Sequence, residues 1–245
     1  PGDDVRTIDW NATALTGGQK VLVALYKQDS HLSSTVLVDV SSTMDFGTAR
    51  ATKRILAAEL AACAVKSLAR SHDPVGLVTY SQTGVEHRLK PGSAQAMLLP
   101  TILHSLESKE TARDGKNSGL AKGLFHVSRS PSIVFVISDF LNMTEADWKA
   151  LKQVGMRHQV YAMYVQDMRE RELPPVGWIP YSYQVQDRAG NLRDVWVTPG
   201  PRREHREKFL AHESQVLERL KKCLVLSIVV STEQGKEAMP GVLSF

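Results

Sequence analysis

Asp39, Ser41 and Thr43 alternate along the stretch Thr35-Val-Leu-Val-Asp-Val-Ser-Ser-Thr43. In extended chain, every second side chain projects to the same side, so one carboxylate and two hydroxyls can gather there. Such a hard-oxygen set suits Mg²⁺, Mn²⁺ or Ca²⁺, and not the softer metals that prefer His or Cys. Asp139, which closes the apolar run Ser132-Ile-Val-Phe-Val-Ile-Ser-Asp139, and Ser118, in Asp114-Gly-Lys-Asn-Ser-Gly119, could add an anionic and a neutral oxygen. With waters filling the gaps, these side chains are enough to hold one octahedral Mg²⁺. The plainer alternative is that Ser41 and Thr43 cap the helix that follows while Asp39 merely ends a strand.

The elements that must bring these residues together can be read from the apolar pattern. Residues 35–38 form a short run rich in β-branched side chains, the mark of a buried strand, and Ala51 to Leu68 is an alanine-rich helical run. Further strands are expected at Lys20 to Lys27, Val75 to Tyr80, Ser132 to Asp139 and Gln159 to Val165, with Leu224 to Val230 as the last central strand. Val85 to Leu89 alternates apolar and polar residues and suits a sheet edge. Helices are expected at Ala94 to Leu106, Leu120 to Val127, Glu145 to Val154 with Thr144 as N-cap, and Glu204 to Lys222. Tyr181 to Gln186 and Leu192 to Val197 read as a hairpin about Asp187-Arg-Ala-Gly-Asn191.

Alternating strands and helices predict an α/β fold with a doubly wound, mostly parallel sheet flanked by helices. The expected organisation is an N-terminal arm and strand at 1–30, then an α/β domain at 31–245 with a hairpin insertion at about 178–200. Strand ends of a parallel sheet lie on one edge, so the loops that carry Asp39, Ser118 and Asp139 should converge there.

Composition narrows the class. The 245 residues are 42% hydrophobic and 23% charged, as in ordinary globular proteins. The apolar run near Cys223 to Val230 is too short to cross a bilayer. The two cysteines, Cys63 and Cys223, sit in apolar segments and are expected to pack rather than bridge. A net charge of +4 raises the question of nucleic acid, but the basic residues alternate with acids, as in Pro201-Arg-Arg-Glu-His-Arg-Glu-Lys208, and no aromatic residue interleaves them. No nucleic-acid partner is expected. The chain opens at Pro1 without an initiating Met or a secretory signal, so upstream sequence is expected to precede it. The segment is expected to be cytoplasmic, with any membrane association supplied from upstream.

Enzymatic signatures are weak. No Gly-x-x-x-x-Gly-Lys-Ser/Thr loop cradles phosphate and no Gly-x-Ser-x-Gly elbow presents a nucleophile. The eight histidines are scattered without zinc-ligand spacing, and Trp10, Trp148, Trp178 and Trp196 are expected to be packing anchors. An apolar strand ending in Asp-x-Ser-x-Thr resembles the start of haloacid dehalogenase-type phosphatases, with Asp39 as nucleophile. That chemistry wants a second acid two residues on, where Ser41 stands. It remains the alternative to a non-enzymatic role.

Asp39-Val-Ser-Ser-Thr43, a distal hydroxyl and the strand-terminal Asp139 together resemble the metal-ion-dependent adhesion site of von Willebrand factor A domains. Pro1-Gly-Asp-Asp-Val-Arg-Thr-Ile-Asp-Trp10 and Asp167-Met-Arg-Glu-Arg-Glu-Leu-Pro174 resemble the DUF58 family of bacterial proteins. This sequence has Thr43 where Ser is commoner, Leu15 where Arg is usual and Met168 in place of Pro. The resemblance implies a von Willebrand A-like, Rossmann-like domain that binds a divalent ion through Asp39, Ser41, Thr43, Ser118 and Asp139. It also implies a protein partner, namely a MoxR-type AAA+ ATPase acting with this chain in chaperone-like assembly or maturation of a client. An acidic residue of the partner would complete the ion's shell, and Asp45 is the candidate to cap the ion when no partner is bound.

Overall fold

The computed structural model describes residues 33–47, 51–70, 74–82, 84–89, 119–172, 181–186, 192–197 and 199–233. The chain divides into two units at His31/Leu32, and every described residue belongs to the second. The expected arm at 1–30 with its strand, the helix at 94–106 and Ser118 lie outside the described residues.

The elements follow one another as β1 Ser34–Asp39, α1 Lys53–Arg70, β2 Val75–Ser81, β3 Gly84–Leu89, α2 Leu120–Leu124, β4 Ile133–Ser138, α3 Glu145–Gly155 and β5 Gln159–Gln166. Then come α4 Met168–Arg171, β6 Tyr181–Gln186, β7 Leu192–Val197, α5 Pro199–Lys222 and β8 Val225–Ser231. Six strands form one sheet in the order β3-β2-β1-β4-β5-β8. Every pairing is parallel except β2 with β3. The hairpin β6-β7 forms a separate two-stranded sheet.

β1 is buried at every position because it has strands on both sides and helices on both faces. Its alternate side chains feed two cores. Val36 and Val38 pack with Leu56, Leu60 and Ala64 of α1, while Leu37 packs on the opposite face with Leu120, Leu151 and Leu220 of α2, α3 and α5. The mixed α/β architecture with a mostly parallel sheet flanked by helices is therefore as the apolar pattern predicts.

Several elements differ from expectation. Among the described residues β8 lies at the edge of the sheet, with β5 as its single partner, where a central strand is expected. Its apolar sequence reflects the two cores it meets through Val225 and Val230, while Leu226 and Val229 stay exposed. The helix expected at 120–127 ends at Leu124, and tight i to i−3 bonds from His126 to Gly123 and from Val127 to Leu124 wind up its last turn. α5 begins five residues earlier than expected, at Pro199 rather than Glu204, Pro being well suited to a first helical turn. The short α4 was not anticipated at all.

Candidate metal centre

The strand order reverses at the β1/β4 seam. From β1 the sheet grows through β2 to β3 on one side, and from β4 through β5 to β8 on the other. In open α/β sheets the crevice at the carboxyl end of such a seam is where ligands bind. Asp39 is the last residue of β1, and Asp139 follows the last residue of β4. The topology thus brings two carboxylates from distant positions to one crevice.

After Asp39 the chain extends through Val40 and Ser41 and then winds into a 3-10 turn at Ser42–Asp45. Asp39 Oδ1 accepts from the Ser41 backbone N–H at 2.9 Å, which folds the turn back over the carboxylate. The Ser41 and Thr43 hydroxyls lie 3.0 Å apart. Ser41 stands at the N-cap of the 3-10 turn, but its side chain does not cap it. The cap of α1 is supplied by Thr52, whose Oγ1 accepts from Ile55 N at 3.3 Å. The plainer role for Ser41 and Thr43 is therefore filled by another residue, and their hydroxyls face each other in the turn after Asp39.

On the neighbouring strand, the Ser138 hydroxyl donates to Asp39 Oδ2 at 2.6 Å and accepts from Phe140 N at 3.0 Å. Phe140 has φ of 50°, a left-handed conformation uncommon for a bulky residue. It is held by burial and by an edge-to-face contact with Tyr164 at 5.7 Å between ring centroids. This reversal turns the chain sharply after Asp139, whose Oδ1 accepts from Leu141 N at 3.2 Å.

The other Asp139 oxygen has a cationic partner. Lys53, the first residue of α1, is 0% exposed and places Nζ 2.7 Å from Asp139 Oδ2 and 2.6 Å from Glu170 Oε1. Glu170 belongs to α4, where Asp167 and Glu170 form a reciprocal capping box: Glu170 Oε2 accepts from Asp167 N, and the Asp167 side chain accepts from Arg169 N. Asp167 is fixed in turn by the Thr232 hydroxyl, which donates to Oδ2 at 2.8 Å just beyond β8.

Burial, and then the charge of Asp139, raise the Asp39 carboxyl to about 7, although the hydrogen bonds from Ser138 and Ser41 pull the other way. For Lys53, burial pulls the ammonium down, but Asp139 and Glu170 outweigh it and the group sits above its ordinary range. Burial raises Glu170, with Lys53 opposing. Tyr80, buried beside the crevice, is pushed well up by burial and then by the Asp39 charge.

Asp39 is 2% exposed and makes no ion pair among the described residues. A buried carboxylate flanked by neutral hydroxyls and a second acid lacks a counter-charge. The donor set of Asp39, Ser41 and Thr43, all oxygen, fits a hard divalent cation. Among the described residues there is no group of three or more His, Cys, Asp or Glu side chains placed to hold a metal, so an ion held by these residues would use the hydroxyls as well. Asp45, the candidate cap for a bound ion, has a cationic partner in this structure. It pairs with Arg54 Nε at 2.6 Å, and Arg54 also donates to the Val40 carbonyl at 3.1 Å.

The structure thus brings together Asp39, Ser41 and Thr43 with Asp139 beside them, whereas Ser118 lies outside the described residues; its neighbour Gly119 is seated against Ser81 at the end of β2. Sequence reasoning missed Lys53, Ser138 and Glu170. Lys53 had a legible signal, because it lies on the stripe of Leu56, Ala57 and Leu60, where a lysine at an apolar helical position needs a buried partner. Glu170 is signalled by its capping-box spacing from Asp167. Nothing in the sequence distinguishes Ser138.

The mixed α/β fold, with Asp39, Ser41 and Thr43 gathered at its strand-order reversal, has structural company. BatB from Bacteroides thetaiotaomicron, described as a conserved hypothetical protein, shares the fold with a TM-score of 0.53 at 16% identity, over 86% of this chain and 95% of that one. Residues 1–215 match the family DUF58, a family of unknown function. Uncharacterised proteins of Mycobacterium bovis and Mycobacterium tuberculosis are each 31% identical over 228 residues, covering 91% of this chain and 69% of theirs. The chain belongs to the DUF58 family.

Proposed function

We propose that this chain is a von Willebrand A-like, non-enzymatic interaction module whose binding to a protein partner depends on a divalent cation. The observation that carries this reading is the Asp39–Ser41–Thr43 turn, a buried carboxylate with two adjoining hydroxyls and no counter-charge among the described residues. Asp39, Ser41 and Thr43 would hold Mg²⁺ or Mn²⁺, with Asp139 beside them and Ser118 as the expected further hydroxyl. Bound there, the ion would offer an electrophilic position to a carboxylate of the partner. Neutral hydroxyl donors favour such a role, because they leave the cation's charge largely unspent.

The partner we propose is a MoxR-type AAA+ ATPase, acting with this chain in chaperone-like assembly or maturation of a client. Support for that pairing is the sequence resemblance carried by residues 1–10 and 167–174.

Calorimetric titration of Mg²⁺ and Mn²⁺ into wild type and Asp39→Ala tests the metal. Saturable binding by wild type that the variant lacks is the expected result. No binding to folded wild type, alone or with a carboxylate-bearing partner, would overturn it. Pull-down of the ATPase with and without chelator tests the partner, and chelator-insensitive capture would sink the metal dependence.

A further inference from the structure

We infer that Lys53 is a built-in counter-cation that holds down the affinity of the Asp39 crevice for divalent ions, so that occupancy depends on a partner's carboxylate. This rests on the proposed metal reading and specifies how the site is set.

Lys53 lies at the start of α1, on the helix's core-facing stripe, and is 0% exposed. Its ammonium touches Asp139 Oδ2 at 2.7 Å and Glu170 Oε1 at 2.6 Å, so it is shared between the crevice and α4. The remaining Asp139 oxygen accepts from Leu141 N. Both oxygens of the second acid therefore have donors, one of them fully charged. A cation arriving at Asp39 finds the neighbouring carboxylate already ion-paired with Lys53. The ammonium is itself buried, where charges are weakly screened, and it repels an arriving cation. A partner's carboxylate would restore the missing negative charge, which couples cation affinity to partner binding through ordinary linkage.

The placement also explains why α4 is folded as it is. The capping box of Asp167 and Glu170 fixes the Glu170 side chain, and the Thr232 hydroxyl fixes Asp167. The backbone carbonyl of Glu170 meets His205 Nε2 at 2.7 Å, which ties α4 to α5. Glu170 is thus a rigid second anchor for Lys53, and it divides the ammonium's charge between two acids instead of leaving all of it on Asp139. Removing Glu170's charge should strengthen the brake, and removing Lys53's charge should release it.

The test is Mn²⁺ affinity, read by electron paramagnetic resonance of free Mn²⁺ and by calorimetry, for full-length wild type, Lys53→Met and Glu170→Gln. Near-ultraviolet circular dichroism checks that each variant is folded. The expected order is Glu170→Gln weakest, wild type intermediate and Lys53→Met tightest, with Lys53→Met gaining about tenfold or more from one unit of local charge. Damage to packing would not tighten binding, so a gain separates this role from a merely structural one. Any other order, including equal affinities, overturns the role of Lys53 and leaves the metal reading standing. Where Lys53→Met does not fold, wild type against Glu170→Gln decides in the same way. Absence of saturable Mn²⁺ binding in all folded forms would instead overturn the metal reading itself.

Discussion

Ser138 and Asp39 join the two strands at the seam where the sheet reverses order: the Ser138 hydroxyl donates to Asp39 Oδ2 at 2.6 Å, 99 positions away in the chain. The same oxygen of Ser138 receives the Phe140 N–H. One hydroxyl therefore supports both the buried carboxylate and the left-handed turn that follows β4. Ser138→Ala should destabilise the protein by about 1–3 kcal/mol, because a buried carboxylate and a backbone N–H each lose a partner. Urea unfolding of the two proteins measures this, and an unchanged midpoint would show that the bond contributes nothing.

Asp39 should make the metal-free protein sensitive to pH. Its carboxyl is raised to about 7 in the fold, from an ordinary value of 3.8. Between those values the folded state binds the proton and the unfolded state does not. The contribution to stability is therefore full below the unfolded value and lost as pH rises through about 7. In chelator, wild type should lose stability relative to Asp39→Asn between pH 5 and 8, by something on the order of 2–4 kcal/mol. Parallel stability curves for the two proteins would contradict this.

Gly119 has φ of +74°, and a Cβ there would sit 1.9 Å from the Ser81 carbonyl oxygen. Both the backbone conformation and the close approach of α2 to the end of β2 require glycine. Gly119→Ala should cost about 2 kcal/mol or more, since the obstacle is backbone and cannot rotate away. Thermal unfolding of the variant is the check, and a shift of less than a degree would refute the close packing.

Leu224, two residues past the end of α5, has φ of 61° and is 65% exposed, so it bears the left-handed cost with little burial in return. Leu224→Gly should stabilise the fold by about 0.5–1 kcal/mol, the usual gain from glycine at a left-handed helix terminus. Chemical denaturation measures it, and destabilisation would mean that the exposed side chain packs usefully after all.

Much of this fold is legible in the sequence. Local pattern placed most of the described strands and helices, because burial on two faces writes continuous apolar runs into β1, β4 and β5, and burial on one stripe writes a helical period into α1. It also placed Thr144 as the cap of α3, which the structure completes as a capping box with Asp147. The spacing of Asp39, Ser41 and Thr43 marked the turn, since all three belong to one short segment. Strand order lies beyond such reasoning: pairing partners are chosen by the whole sheet, so β8 read as central and lies at the edge among the described strands. So do Ser138 and the Lys53 triad. Asp139 is 86 positions from Lys53 and Glu170 is 117, and only the folded sheet makes them neighbours. The chain by itself determined the oxygen donors of the turn, because short-range spacing sets them. The tertiary structure alone decided the charge around them, because charges act through distance in space.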